Sequence, residues 1–252
     1  MMMLSRGTTL RNVTGAAIFR RLLHIKTAST PNENALKFIS PDKPILPIDN
    51  TTFEFTSTLQ AIHSPLALQL FKLPGIKSIL LGPDFLTVNK FDNYDWHDLS
   101  QEVTDTMKQF LEHKDAKPVI TNELVDKIQQ DKEALEDEDE SEIVLMIKEL
   151  IETRIRPAIQ DDGGDIEYKG FDEETGTVFL KLQGACKSCS SSEDTLKSGI
   201  EGMLKHYIEE VEEVQQILDP EEEIAMKEFE RLESQLKGAK SATTVDEGPP
   251  SL

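Results

Sequence analysis

Cys186 and Cys189 are the only thiols in a chain of 252 residues, and they stand three positions apart in "GACKSCSSS". Such a C-x-x-C pair has a short menu of chemistries: packed core thiols, a disulfide, a redox couple, or half of a metal site. Its surroundings narrow the choice. Lys187, Ser188, Ser190, Ser191 and Ser192 make the loop polar, a poor setting for cysteines that serve only as core. Ser190 and Glu193 fit the capping-box pattern S-x-x-E, so a helix is expected to begin there. The cysteines then lie at or just ahead of a helix N-terminus, where unpaired N–H groups and the dipole favour thiolate. Lys187 adds to that effect, while Glu193 and Asp194 oppose it.

A thioredoxin-like thiol oxidoreductase also sets C-x-x-C between a strand and a helix. That fold needs a further βαβ framework after the motif, and here one helix and one short strand precede an acidic tail. No aromatic residue precedes Cys186 either. A metal half-site is the other reading. Structural zinc and cubane iron–sulfur clusters usually take four ligands, and one chain offers two thiolates. The nearest histidine, His206, falls in the register of the following helix and reads as a surface or packing residue. The simplest source of the missing pair is a second copy of the chain about a two-fold axis. Spacing alone leaves both a zinc-bridged structural dimer and a shared cluster open. A site split between chains is easily opened, which suits a transferable cluster better than a structural zinc.

The elements that must position this loop follow from periodicity. "IVLMIKELIETRIRPAIQ" places Ile147, Leu150, Ile151, Ile155 and Ile159 along one helical stripe, with Pro157 expected to kink or end it. "DDGGD" turns the chain. "IEYKGF" and "TVFLKL" alternate as a hairpin with Gly176 at its turn. After the cysteines, Leu196, Ile200, Met203, Leu204 and Tyr207 share a helical register, and "VQQIL" reads as a last strand. Gly199 and Gly202 each cost that helix about 1 kcal/mol relative to alanine, which a close approach of another backbone would explain. This unit, residues 143–218, is expected as a small α+β sandwich.

Upstream, residues 33–114 read as a separate α+β unit without a cysteine or a catalytic grouping. "ALKFI", "FEF", "IKSILL" and "FLTVNK" are strands, the last two joined by a "GPD" turn. Ser64 caps a short helix opened by Pro65, and Trp96, Leu99, Val103, Met107, Phe110 and Leu111 mark one face of a longer one. Residues 115–142 end in the acid-rich "DKEALEDEDESE" and are expected as a self-repelling linker. Residues 219–252 form an acidic tail. In it Asp219, Pro220 and Gly238 bracket a helix whose stripe is Ala225, Phe229, Leu232 and Leu236.

Charge sets the broader limits. The chain carries 47 acidic against 27 basic residues, a net charge of −20 that repels a phosphate backbone and argues against nucleic acid as a partner. The exception is residues 1–32. They hold Arg6, Arg11, Arg20, Arg21 and Lys26, no acid, and many Ser and Thr, the make-up of a mitochondrial or chloroplast presequence. No apolar run approaches the ~18–20 residues of a membrane span. In a reducing matrix a structural disulfide is disfavoured, leaving metal or redox chemistry for the cysteine pair.

"RPAIQDDGGDIEYKGF" and "VFLKLQGACKSCSSSEDTLKSGIEGML" resemble the C-terminal domain of NifU-type proteins. "SPLALQLFKLPGIKSILLGPDFLTVNK" resembles the N-terminal domain of the mitochondrial Nfu proteins. The two matches together cover roughly residues 33 to 218. The resemblance implies two α+β domains behind a presequence in a non-enzymatic iron–sulfur scaffold or carrier of the mitochondrial matrix. It implies a 4Fe–4S cluster held across a homodimer by Cys186 and Cys189, which match the family's cluster cysteines. It also implies upstream cluster-assembly factors and, as recipients, apoproteins such as lipoyl synthase and respiratory-chain subunits. Ser190 departs from the proline of many members, and the tail after Asp219 exceeds the shared domains.

Overall fold

The computed structural model describes residues 23–48, 51–113, 118–127, 141–187 and 190–218, the side chains of 190–195 excepted. Residues 1–22, most of the acidic stretch, Cys189 and the tail from 219 onward lie outside the described residues.

Short alternating runs build a five-stranded antiparallel sheet: β1 (Lys26–Ser29), β2 (Ala35–Ile39), β3 (Phe53–Phe55), β4 (Ile76–Leu81) and β5 (Phe85–Lys90), in the order β1-β2-β5-β4-β3. The GPD turn closes the β4–β5 hairpin, with the Gly82 N–H donating to the Phe85 carbonyl at 2.8 Å. One face of the sheet is apolar and is covered by α1 (Pro65–Leu70) and α2 (Trp96–Glu112). Ser64 caps α1 as expected, its hydroxyl accepting from the Ala67 N–H at 3.1 Å. Leu99, Val103, Met107, Phe110 and Leu111 of α2 close on Phe38, Ile79, Leu81, Leu86 and Val88.

Two boundaries differ from the sequence reading. Leu23 and Ile25 are buried in this first core, and β1 pairs with β2 from Lys26↔Ile39 to Ser29↔Leu36. A presequence running to residue 32 would remove that strand, so the fold begins no later than Leu23. Leu23 and Ile25 alternate as strand-flanking core residues do, a pattern that the basic composition masks. Within the span expected as linker, Ile120 is likewise buried against the first core, with Val119, Leu124 and Val125 beside it.

The second sheet has three strands, β6 (Gly164–Asp172), β7 (Thr177–Gly184) and β8 (Glu213–Gln216). β6 and β7 form the antiparallel hairpin, and β8 pairs parallel to β7. Gly176 at φ +64° turns the hairpin, a left-handed conformation that suits glycine. Against the sheet lie α3 (Glu142–Leu150), a π-helical turn (Ile151–Ile155), α4 (Arg156–Asp161) and α5 (Ser190–Tyr207). The predicted stripe is the buried one: Ile147, Leu150, Ile151, Ile155 and Ile159. Pro157 lacks an N–H for the preceding turn, and the widened helix just before it accommodates that loss without ending the rod. The described residues are thus α+β, with two cores. No helix among the described residues is long and apolar enough to cross a membrane.

Candidate metal centre

β7 delivers the chain to the cysteines. It ends at Gly184, whose φ of +67° breaks the strand and starts the 3₁₀ turn Ala185–Lys187 ahead of α5. Cys186 sits in that turn, 7% exposed and packed into the second core. Its seat is made by the double glycine of "DDGGD". Gly163, at φ +81°, makes the turn from α4 to β6. Gly164 does something else: a Cβ there would stand 2.4 Å from Cys186 Sγ. The sulfur occupies the space that a side chain would take.

The next residue fixes this seat. Asp165 is buried and accepts from Arg156 Nε at 3.1 Å, from the Ile166 N–H at 2.8 Å, and from the Thr52 hydroxyl of the first unit. Arg156 Nη2 also donates to the Ile166 carbonyl at 2.8 Å, and its Nη1 pairs with Glu152. A planar guanidinium with several directed donors thus pins the start of β6 to α4.

A groove of about 440 Å³ opens beside the thiol, walled by Arg154, Ile155, Ile159, Cys186, Ile200 and Met203. Gly199 lies on its edge, and nothing stands within 4 Å of a Cβ placed there or at Gly202. The expected close approach of a backbone is therefore absent among the described residues. Gly199 leaves the groove open instead. His206 is exposed and meets Tyr207 edge-on at 4.9 Å, a surface residue as read from its register.

The first unit reaches into the same loop. Asn32 Nδ2 donates to the Ala185 carbonyl at 3.0 Å. Glu54 accepts from the Gly184 N–H at 3.0 Å and from Lys187 Nζ at 3.2 Å, with both side chains largely buried. Burial pushes the Glu54 carboxyl above the ordinary carboxylate range, against the pull of the Lys187 charge and the Gly184 N–H. Sequence reasoning missed Asn32, Glu54, Gly164 and Asp165. Only Glu54 left a signal, as the polar residue between two phenylalanines of a strand.

Of the two predicted ligands, Cys186 is placed and Cys189 lies outside the described residues. Among the described residues, no group of three or more His, Cys, Asp or Glu is positioned to hold a metal ion. The NifU-like domain family matches residues 147–215, which include both cysteines, and the N-terminal family of the scaffold protein Nfu/NifU matches residues 25–114. A Saccharomyces cerevisiae protein named "NifU-like protein, mitochondrial" is 48% identical over 238 residues, covering 89% of this chain and 92% of that protein. This chain belongs to the NifU-like family. A human relative, named "NFU1 iron-sulfur cluster scaffold homolog, mitochondrial", is 48% identical over 202 residues, covering 80% of the NifU-like chain described here and 74% of its own. The solution NMR structure of a NifU-like protein from Saccharomyces cerevisiae is 36% identical, covers 44% of this chain and 92% of that one, and has a TM-score of 0.33. The N-terminal match begins at residue 25, ahead of β1, in keeping with that strand's place in the first sheet.

Proposed function

We propose that this NifU-like protein holds an iron–sulfur cluster and passes it on, and that it is a carrier and not an enzyme. The cargo is a 4Fe–4S cluster bound by the thiolates of Cys186 and Cys189 from each of two copies. The observation that carries the reading is the seat of Cys186, a thiol packed over a glycine at the strand-to-helix turn of the matched domain and bordering a groove. Soft thiolates are the donor set such clusters take, and two per chain leave half the ligands to a partner. The name of the human relative supports cluster chemistry of this kind. Recipients would be mitochondrial apoproteins, such as the lipoyl-synthesising enzyme and respiratory-chain subunits, with cluster-assembly factors upstream. A basic presequence ending ahead of Leu23 would direct the chain to the matrix.

Anaerobic reconstitution with iron and sulfide tests this. The wild type is expected to bind about two irons and two sulfides per chain, a cubane shared by two. Cys186→Ser or Cys189→Ser removes two of four ligands at once and should leave the protein folded and colourless. A single variant that keeps a full complement of iron and sulfide overturns the shared-ligand reading. Disulfide reductase turnover by metal-free protein, well above a Cys186→Ser control, overturns the carrier reading itself.

A further inference from the structure

The first sheet has a second face, and its centre is not solvated. Lys37, Thr87, Leu80 and Glu54 lie in one row across β2, β5, β4 and β3, as direct cross-strand partners: Lys37↔Thr87, Thr87↔Leu80 and Leu80↔Glu54. Residues paired in this way project from the same side of a sheet. All four meet the second unit. Lys37 Nζ donates to the Gln160 carbonyl at 2.8 Å. Thr87 Oγ1 is 3.1 Å from where a Cβ on Gly163 would stand, and Leu80 Cδ2 is 2.6 Å from the same point on Gly184. Glu54 binds the Gly184 N–H and Lys187. Asn32 adds the Ala185 carbonyl from the loop before β2. The row therefore contacts the two segments that seat and carry Cys186.

We infer that the outer face of the N-terminal sheet is a reversible clasp for the chain's own cysteine loop, with Glu54 and Asn32 as its positioning residues. The composition of the seam argues for reversibility. Three of the row's four side chains are polar or charged, as in transient interdomain contacts and unlike an obligate core. Thr87 Oγ1 and Gln160 Nε2 are buried there without a partner among the described residues, which offsets part of what the other bonds contribute. Engagement also directs the Lys187 ammonium to Glu54, placing a carboxylate beside the turn that carries Cys186. A loop in that state is held by its own chain, and release frees it to meet a second copy or a recipient. Only this last consequence rests on the cluster reading; the clasp itself does not.

The test uses full-length, metal-free protein. Two readouts report the seam: hydrogen exchange at the Gly184 amide, and acylation of the Lys37 and Lys187 amines, resolved by peptide mass. Glu54→Ala removes the hook, and Thr87→Arg wedges the centre of the row without touching the first core. Both should raise Gly184 exchange by about tenfold or more, the factor that a hydrogen bond to a charged group is worth. Thr87→Arg should also expose Lys37 and Lys187 together, although they lie at opposite ends of the row. Amides of the first core should keep their protection; where a variant unfolds that core, Asn32→Ala replaces it. Wild-type exchange and labelling in all folded variants overturns the clasp. Labelling of the wild type that rises on dilution overturns the assignment to the chain's own loop. Iron and sulfide content is measured separately. A wild type that binds no cluster defeats the function proposed above and leaves the clasp standing. Cluster-binding protein whose variants exchange at wild-type rates does the reverse.

Discussion

At the scale of single residues, the site depends on an atom that is missing. Cys186 Sγ occupies the position a Cβ on Gly164 would need, 2.4 Å away, and the same Cβ would stand 3.0 Å from the Gln183 carbonyl oxygen. Any larger residue must displace the thiol or the strand. Gly164→Val is expected to destabilise the second unit by about 1–3 kcal/mol, as overpacking does. Reconstituted variant should lose cluster even where circular dichroism shows it folded, because the proposed ligand itself moves. Iron content at full loading in folded Gly164→Val would show that the seat does not position the sulfur. Spacing and a polar loop single out the two cysteines in the sequence as the proposed ligands. The role of Gly164 stays hidden there, because "DDGGD" reads as a turn whichever glycine makes it. Gly163 alone has the positive φ, and only the tertiary contact separates the two.

At the scale of elements, α5 and β8 are tied by one carboxylate. Glu201 Oε1 pairs with Lys205 Nζ at 2.7 Å, one turn along the helix, and Oε2 accepts from the Val214 N–H of β8 at 3.4 Å. The Lys205 hydrogen bond foremost, with the Val214 N–H adding, holds the Glu201 carboxyl below its ordinary range. A carboxyl depressed by folding stabilises above its unfolded value, and that stabilisation is lost as pH falls through the folded one. Glu201→Gln should therefore lower the melting temperature slightly at neutral pH, by about 1–2 °C for so exposed a pair. The two proteins should melt together only once pH has fallen below that depressed value, under the ordinary glutamate range. A difference that is the same at pH 3 and pH 7 would mean that charge plays no part. Element types and stripes were legible here because period 2 and period 3.6 are set by which face is buried. "FLTVNK" shows where that logic stops. Thr87 and Asn89 alternate with Leu86 and Val88 in it, yet all six residues of β5 are buried. The second unit covers the polar side, and local pattern holds no record of a contact made across so much chain.

At the scale of the whole molecule, two copies must meet at the cysteine loops if the cluster is shared, yet each chain also engages its own loop through the first sheet. The two demands couple assembly to loading. On the function proposed above, a 4Fe–4S cluster that binds only the paired state would stabilise it by mass action, and its loss would return the loop to the sheet. Light scattering under anaerobic conditions should therefore give reconstituted protein about twice the mass of one 28.4 kDa chain. At the same concentration the metal-free form should dissociate toward single chains. Thr87→Arg, with its loop released, should remain a single chain without cluster and pair more readily when iron and sulfide are supplied. The second half of that expectation carries the discrimination. Were the sheet merely a passive neighbour, wedging it would leave the iron-dependent dimerisation curve where the wild type puts it. A strictly monomeric holo-protein with about four irons per chain would instead place all the ligands in one copy. With two cysteines in the chain, that outcome would require non-thiolate ligands.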